Sequence, residues 1–345
     1  MPAAAGYAMP APLAGERAEW SAEFGRRFTV FVDTEEEFDW RAPLSRGNRQ
    51  VTAMRAIPAA HARFAEWAVP LTYMADHPAV AEPAGADILR GVLADGRSAI
   101  GAQLHAWVTP PFAETLTPAN SFAGNLPEGL EAAKLDALTS AITEATGAAP
   151  IAFRAGRYGL GRNSLRLLAE RGYRLDSSVR AYYDYGGEGG PDFRSIGNAA
   201  FWRDGILELP FTTLFTGRAR VGGTRLFDQL GRVPRGRGIA ARLGLLSRVS
   251  LTPEDMPLSD VLEAIAVADG EGLRMLNFAF HSPSLAPGHT PYVRDAGDLR
   301  LFWRWWDEVL AALDRRSIRP ASLHDVLAAA TPSVGGGPGT HLTEA

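Results

Sequence analysis

The chain has 345 residues, 46% apolar and 21% charged, proportions ordinary for a globular protein that buries a sizeable core. Its 35 basic and 39 acidic residues give a formal charge of -4, a whole-chain balance with no electrostatic footprint for nucleic acid or an anionic membrane surface. Cysteine is absent, which excludes disulfides and thiolate zinc sites.

Residues 1–26 read as an N-terminal extension with neither a basic stretch nor an unbroken apolar run, so no secretory signal is expected. No apolar run approaches the roughly 20 residues that span a bilayer, and together these features favour a cytoplasmic protein. The first predicted strand is Phe28–Val32, which ends at Asp33. A helix follows at Ala53–Ala68, a short strand at Leu71–Met74 and a helix at Ala86–Leu93. The next strand, Ser98–His105, runs into a loop rich in Pro and Thr over Val108–Pro127. Across Gly129–Thr146, Leu130, Ala133, Leu135, Leu138 and Ile142 recur at helical spacing, and Gly147 stands where a helix stops. Strand Ile151–Arg154, helix Asn163–Arg171 and strand Tyr173–Val179, which carries Asp176, continue the alternation.

From about 181 to 257 the rhythm breaks. This stretch is rich in Gly and Arg, has one clear strand at Ile206–Phe211 and a helix near Thr224–Leu230, and reads as an insertion. Helix Leu258–Ala268, strand Arg274–Phe280 ending at His281, helix Leu299–Leu313 and helix Leu323–Ala330 complete a single domain over 27–330. Trp303, Trp305 and Trp306 lie in a helical pattern that favours core packing over sugar stacking. Residues 331–345 read as a flexible tail. Strands alternating with helices imply an α/β fold with a parallel sheet, and polar residues at the strand ends point to a closed or nearly closed barrel with its chemistry at that end.

Asp33 and Glu35 leave the first strand two residues apart and can face one pocket, one as a base and the other as a metal ligand; a solvated acidic turn is the plain alternative. Gln103 and His105 share a face by the same rule. A neutral imidazole is a good zinc ligand and a glutamine oxygen a poor one. Arg154 can hold a carboxylate bidentately or satisfy local carbonyls. His281, at a strand end before a turn, can act as a general acid or cap the next element. Glu208 could line the same mouth, although a structural role is the simpler reading.

The order of these segments resembles the polysaccharide deacetylase, or NodB-homology, superfamily and, more narrowly, its WalW-type branch. The resemblance covers roughly Arg27 to Ala330 and is carried by Val32–Phe38, Ile100–Pro111, Phe153–Gly159, Leu175–Ser178, Leu207–Pro210 and Phe280–Ser282. It implies an irregular (β/α) barrel with a metal-dependent amide hydrolase site acting on a carbohydrate. In that resemblance Asp33 is the catalytic base and Glu35 a metal-binding carboxylate. Arg154 braces Asp33, Asp176 belongs to the segment that orients the acid, and His281 is the acid. Trp107, Tyr158 and Glu208 are candidate substrate contacts. The family motif has two histidines four residues apart, whereas this chain has Gln103 and Trp107 there with His105 between them. Glu35, Gln103 and His105 are then the candidate ligands of a divalent cation, zinc or another. The expected reaction is removal of an N-acyl group, such as acetyl, from an amino sugar of a cell-surface polysaccharide or its precursor. The alternatives are an inactive glycan-binding member of the fold and a glycosidase using Asp33 and Glu208.

Overall fold

The computed structural model describes residues 6–333. Strand β1 (Arg27–Thr34) is buried on both faces except at its first residue, which is why Phe-Thr-Val-Phe-Val reads as an apolar run rather than an alternation. In chain order the elements that follow are α1 (Ile57–Ala65), β2 (Leu71–Ala75), α2 (His77–Ala81), α3 (Pro83–Val92), β3 (Ala99–Leu104), α4 (Glu128–Thr146), β4 (Ala152–Ala155), α5 (Ser164–Ala169) and β5 (Leu175–Asp176). Then come β6 (Phe201–Arg203), β7 (Ile206–Glu208), β8 (Thr213–Thr216), α6 (Gly223–Gly231), α7 (Gly236–Arg242), β9 (Ser247–Ser250), α8 (Leu258–Gly270), β10 (Met275–His281), α9 (Ala296–Arg315), β11 (Arg319–Pro320) and α10 (Leu323–Ala329). The main sheet runs β10-β1-β2-β3-β4-β5-β7-β6, with β11 also paired to the start of β1. Only β6 is antiparallel to its neighbour. This curled, half-closed parallel sheet is the irregular (β/α) barrel that the sequence led one to expect.

Side-chain parity divides the core in two. Phe31, Met74, Ala99, Ala152, Leu175, Leu207 and Ala279 fill the barrel interior. Val30, Val32, Ile100, Phe153, Ile206 and Phe278 face the helical layer, where Trp305 and Trp306 of α9 pack with them. Glycine ends two of the helices: Gly147, where a stop was expected, and Gly172 both take left-handed backbone, with φ of 82° and 80°. The strand expected over Tyr173–Val179 is only two residues long: beyond Asp176 a serine hydroxyl replaces the backbone as partner of the neighbouring strand, with Ala155 N–H donating to Ser178 Oγ, while Val179 O accepts from Phe211 N–H.

The stretch 181–257 contributes β6 and β7 to the main sheet, and β8 and β9 form a separate antiparallel ribbon beneath α6 and α7. The extension is tied down as well: Ala18–Trp20 pairs with Ala330–Pro332. The tail expected from 331 onward lies, from residue 334, outside the described residues.

The barrel stays open between β10 and β7; the gap is crossed by backbone bonds, Thr212 N–H to Asn277 O and Ala279 N–H to Leu251 O, and by one buried side chain. Asn277 donates its amide to Ser177 Oγ, Leu209 O and Pro210 O at 2.9, 3.1 and 3.3 Å. Replacing it leaves Pro210 O without this donor and takes one of two donors from Leu209 O and Ser177 Oγ, so Asn277→Ala is expected to lower the unfolding free energy by about 1–3 kcal/mol, measured by urea denaturation. An unchanged midpoint would show that the gap is held by other contacts.

Candidate functional site

Strand register sets the site. Asp33 of β1 stands opposite His281 of β10 and, on its other side, opposite Met74 of β2. Parity points Asp33 inward with Phe31, His281 with Ala279, and Arg154 with Ala152. Asp33 Oδ2 is 3.7 Å from His281 Nε2. Its Oδ1 accepts from Arg154 Nη1 at 2.6 Å. The grip is single rather than bidentate, since Arg154 spends Nε and Nη2 on Ser177 O and Oγ, both at 3.1 Å.

His281 has a second carboxylate partner that the sequence did not disclose. Its Nδ1–H donates to Glu254 Oε2 at 2.6 Å, and its backbone N–H donates to Glu254 Oε1 at 3.1 Å. Burial pulls the His281 pKa down, but Glu254 and then Glu35 more than offset that pull, and it rises to about 10. The imidazole therefore carries its acidic proton at neutral pH. Glu254 sits in the irregular stretch before α8, where no periodicity marks it.

On the opposite side of the site, His105 Nδ1–H donates to Glu36 Oε2 at 2.7 Å. Trp107 donates its indole N–H to Glu36 Oε1 at 2.6 Å, and its ring stacks on the imidazole with centroids 4.3 Å apart. The Glu36 backbone N–H donates to Asp76 Oδ2 at 2.9 Å, and Asp76 Oδ1 caps α2 through Ala79 N–H at 2.8 Å. The loop after His105 is held from below by Lys134 of α4, which donates to Ala106 O, Thr109 O and Pro111 O at 2.9, 2.6 and 2.8 Å. Gly156 makes room for the ring, because a Cβ there would lie 2.3 Å from His105 Cδ2. Burial lowers the His105 pKa to about 4, so the ring is neutral and turns the Nε2 lone pair toward Glu35 Oε2, 3.4 Å away.

Glu35 is the electrostatic problem of the site. Burial first, and then Glu36 and Asp33, push its pKa well above the usual carboxylate range, against an opposing pull from His281. Gln103 Nε2 donates to Glu35 Oε2 at 3.3 Å. Glu35 Oε1 and Gln103 Oε1 are buried and have no hydrogen-bond partner. Two lone pairs facing each other, as Glu35 Oε2 and His105 Nε2 do, require either a proton or a cation between them.

Two sides of His105 could hold that cation. Glu36, Asp76 and His105 bring ligand atoms within 4.8 Å of one another and could hold a metal ion. Their carboxylate oxygens, however, are already engaged by the ring, indole and backbone N–H groups just described. The Glu35–Gln103–His105 side fits better: its acceptors are orphaned, and ligand atoms about 2.1 Å from a tetrahedral ion stand about 3.4 Å apart. Glu36 then serves to orient His105 through Nδ1.

Tyr158 lines the same cavity of about 260 Å³ as Asp33, His281 and Glu254. Trp107 is almost wholly buried and lines a neighbouring groove of about 430 Å³ with Phe38, Trp40 and Arg157. The structure does not bring Asp176 and Glu208 to the mouth. Leu175 and Leu207 take the interior positions, so their neighbours Asp176 and Glu208 point to the other face, opposite each other in register. There Asp176 accepts from Ser178 Oγ and Glu208 from Val179 N–H. Burial raises the pKa of both. Among the described residues no helix is long and apolar enough to cross a membrane.

No family model and no curated protein sequence matches this chain. Among solved structures it is similar to a protein described as a polysaccharide deacetylase from Mycobacterium smegmatis, 18% identical over 92% of this chain and 94% of that one, with a TM-score of 0.52. Puue allantoinase is 17% identical over 89% and 91%, with a TM-score of 0.49. A protein described as a polysaccharide deacetylase from Pseudomonas aeruginosa PAO1 is 15% identical over 89% and 91%, with a TM-score of 0.46. The first of these likenesses establishes that the chain has the fold of the polysaccharide deacetylases.

Burial pushes the Glu35 pKa up, so a cation bound there competes with a proton for the same carboxylate. Calorimetric titration of zinc or manganese in two buffers of different ionisation enthalpy is expected to show proton release, with apparent affinity rising with pH above the ordinary carboxylate range. Glu35→Gln should abolish both effects. Gln103→His should raise zinc affinity, because it replaces an amide oxygen with an imidazole. Tight zinc binding by the native chain that Gln103→His leaves unchanged would place the ligands elsewhere.

Proposed function

We propose that the chain is a NodB-type hydrolase of the WalW-like branch that removes an N-acyl group, such as acetyl, from an amino sugar of a cell-surface polysaccharide or its precursor. The observation that carries this reading is the pairing of Asp33, braced by Arg154, with a protonated His281 across 3.7 Å, beside the orphaned acceptors of Glu35 and Gln103. A divalent cation held by Glu35, Gln103 and His105 would polarise the amide carbonyl and make the attacking water more acidic. Asp33 takes the proton of that water, and Arg154 fixes the carboxylate for the transfer. His281 gives its proton to the leaving nitrogen, without which the amine is a poor leaving group. Glu254 holds the imidazole upright and keeps it charged. Tyr158 and the aromatic groove of Phe38 and Trp40, backed by the buried Trp107, offer apolar faces for the sugar.

A second reading, glycan binding without turnover, rests on Gln103 standing where the family has an imidazole. The glycosidase alternative loses its second carboxylate, since Glu208 is engaged on the other face of the sheet.

Acetate release from N-acetylated glucosamine oligomers tests the proposal. Asp33→Asn is expected to slow release by about 10²–10⁴-fold with the fold intact, and Arg154→Ala to impair it through the same carboxylate. Undiminished turnover in Asp33→Asn rules out the base assignment, and glycan binding without any acetate release favours the second reading.

The pH profile tests the acid separately. Because the His281 pKa is raised to about 10, the acid form is present below that value, and activity is lost as pH rises through it. Glu254→Gln removes the nearest negative charge, so the alkaline limb should move down toward the ordinary histidine value of about 6.5. A limb that stays in place would show that another group supplies the proton.

A further inference from the structure

The whole-chain charge of -4 conceals a segregation. Residues 217–246 hold seven arginines and one acidic residue, Asp228, whereas the rest of the chain has 28 basic and 38 acidic residues. The segment is a pair of short helices, α6 and α7, carried on the β8–β9 ribbon and folded around a small cluster of Phe227, Ala240 and Leu246. Of its seven arginines only Arg237 has a carboxylate within reach among the described residues, Asp228 at 4.0 Å.

The same segment leaves apolar side chains in water. Val221, Val233, Ile239, Leu243 and Leu245 are 91%, 57%, 53%, 64% and 41% exposed, and they make up five of the nine exposed large hydrophobics among the described residues. Concentration of that kind in a few short turns marks an interaction surface, whereas scattered exposed leucines do not.

Unpaired guanidiniums and exposed aliphatic side chains are unfavourable for opposite reasons, and only some surfaces relieve both. Nucleic acid would satisfy the arginines and leave the aliphatic groups in water. An apolar protein face would cover the aliphatic groups and bury unpaired charge. An anionic bilayer relieves both, because its headgroups attract arginine and its acyl boundary accepts Val, Ile and Leu. We propose that the 217–246 hairpin docks the protein peripherally on an anionic lipid surface. The inference stands apart from the chemistry of the site and does not depend on it. It does bear on access: β9 leads through Ser250 to Glu254, so the docking element is joined by a few residues to the wall of the Asp33–His281 cavity.

Flotation of the full chain with lipid vesicles tests the proposal. The protein should float with vesicles of about three parts phosphatidylcholine to one part phosphatidylglycerol and not with pure phosphatidylcholine. The association should weaken in roughly 1 M NaCl, where the Debye length is about 3 Å. The variant Arg220→Glu/Arg232→Glu/Arg235→Glu should lose roughly a hundredfold in partition. Val221→Ser/Ile239→Ser/Leu243→Ser should weaken it at both salt concentrations. All six positions are exposed, so circular dichroism should be unchanged in both variants. The proposal is overturned if the native chain ignores anionic vesicles, if the triple-glutamate variant floats as well as the native chain, or if duplex DNA or heparin is bound while vesicles are not. Because the comparison of the two vesicle types uses the native chain, it holds whatever the variants do.

Discussion

Four carboxyl groups, Asp33, Glu35, Glu36 and Asp76, are buried together at the ends of two adjacent parallel strands, and the rest of the site is arranged around that crowding. Taking so many acids out of water costs several kcal/mol apiece unless each finds a partner. Three of them do. Asp33 has Arg154, Glu36 has the ring N–H of His105 and the indole of Trp107, and Asp76 has backbone N–H groups on α2 and at Glu36. Glu35 is left with a weak amide contact and an orphaned oxygen; burial raises the pKa of Glu35, Glu36 and Asp76 alike, so the missing partner, not the shift, sets Glu35 apart.

The sorting of roles follows from which carboxylates are satisfied. The contented pair, Glu36 and Asp76, fixes a neutral His105 in one orientation and belongs to the scaffold. The discontented one, Glu35, faces the lone pair of that same ring and calls for a cation or a proton. Asp33 and His281 stand next to it as base and acid because β1 and β10 run in register and Glu254 charges the imidazole from behind. Ser177, bonded to Asn277 across the open seam of the barrel, anchors the guanidinium of Arg154 beside Asp33. The seam and the site are thus linked through one buried amide.

The strand ends were legible in the sequence because a run such as Phe-Thr-Val-Phe-Val-Asp combines buried apolar residues with an abrupt acid; period-two spacing then paired Asp33 with Glu35 and Gln103 with His105, and strand-end placement gathered Arg154 and His281 at the same end. Strand-end placement, which put Asp176 at the mouth, failed because that strand is only two residues long, whereas Glu208 keeps the structural place that was its simpler reading. Nothing in the local pattern showed that Leu175 and Leu207, not their acidic neighbours, take the interior. Glu254 and Asp76 were hidden for another reason. Each acts through a partner more than twenty residues away, and spacing along the chain carries no record of such a contact. The arginine-rich hairpin was hidden by averaging, since a net charge near zero describes the whole chain and not its parts.

The central claim is that the cation belongs on the Nε2 side of His105, with Glu35 and Gln103, and not on the Nδ1 side, with Glu36 and Asp76. Anomalous diffraction from crystals of the protein soaked in manganese or zinc separates the two sites directly. A peak between Glu35, Gln103 and His105 Nε2 is the expected result. A peak at His105 Nδ1, displacing the bond to Glu36, or no peak at His105 at all, would contradict the account.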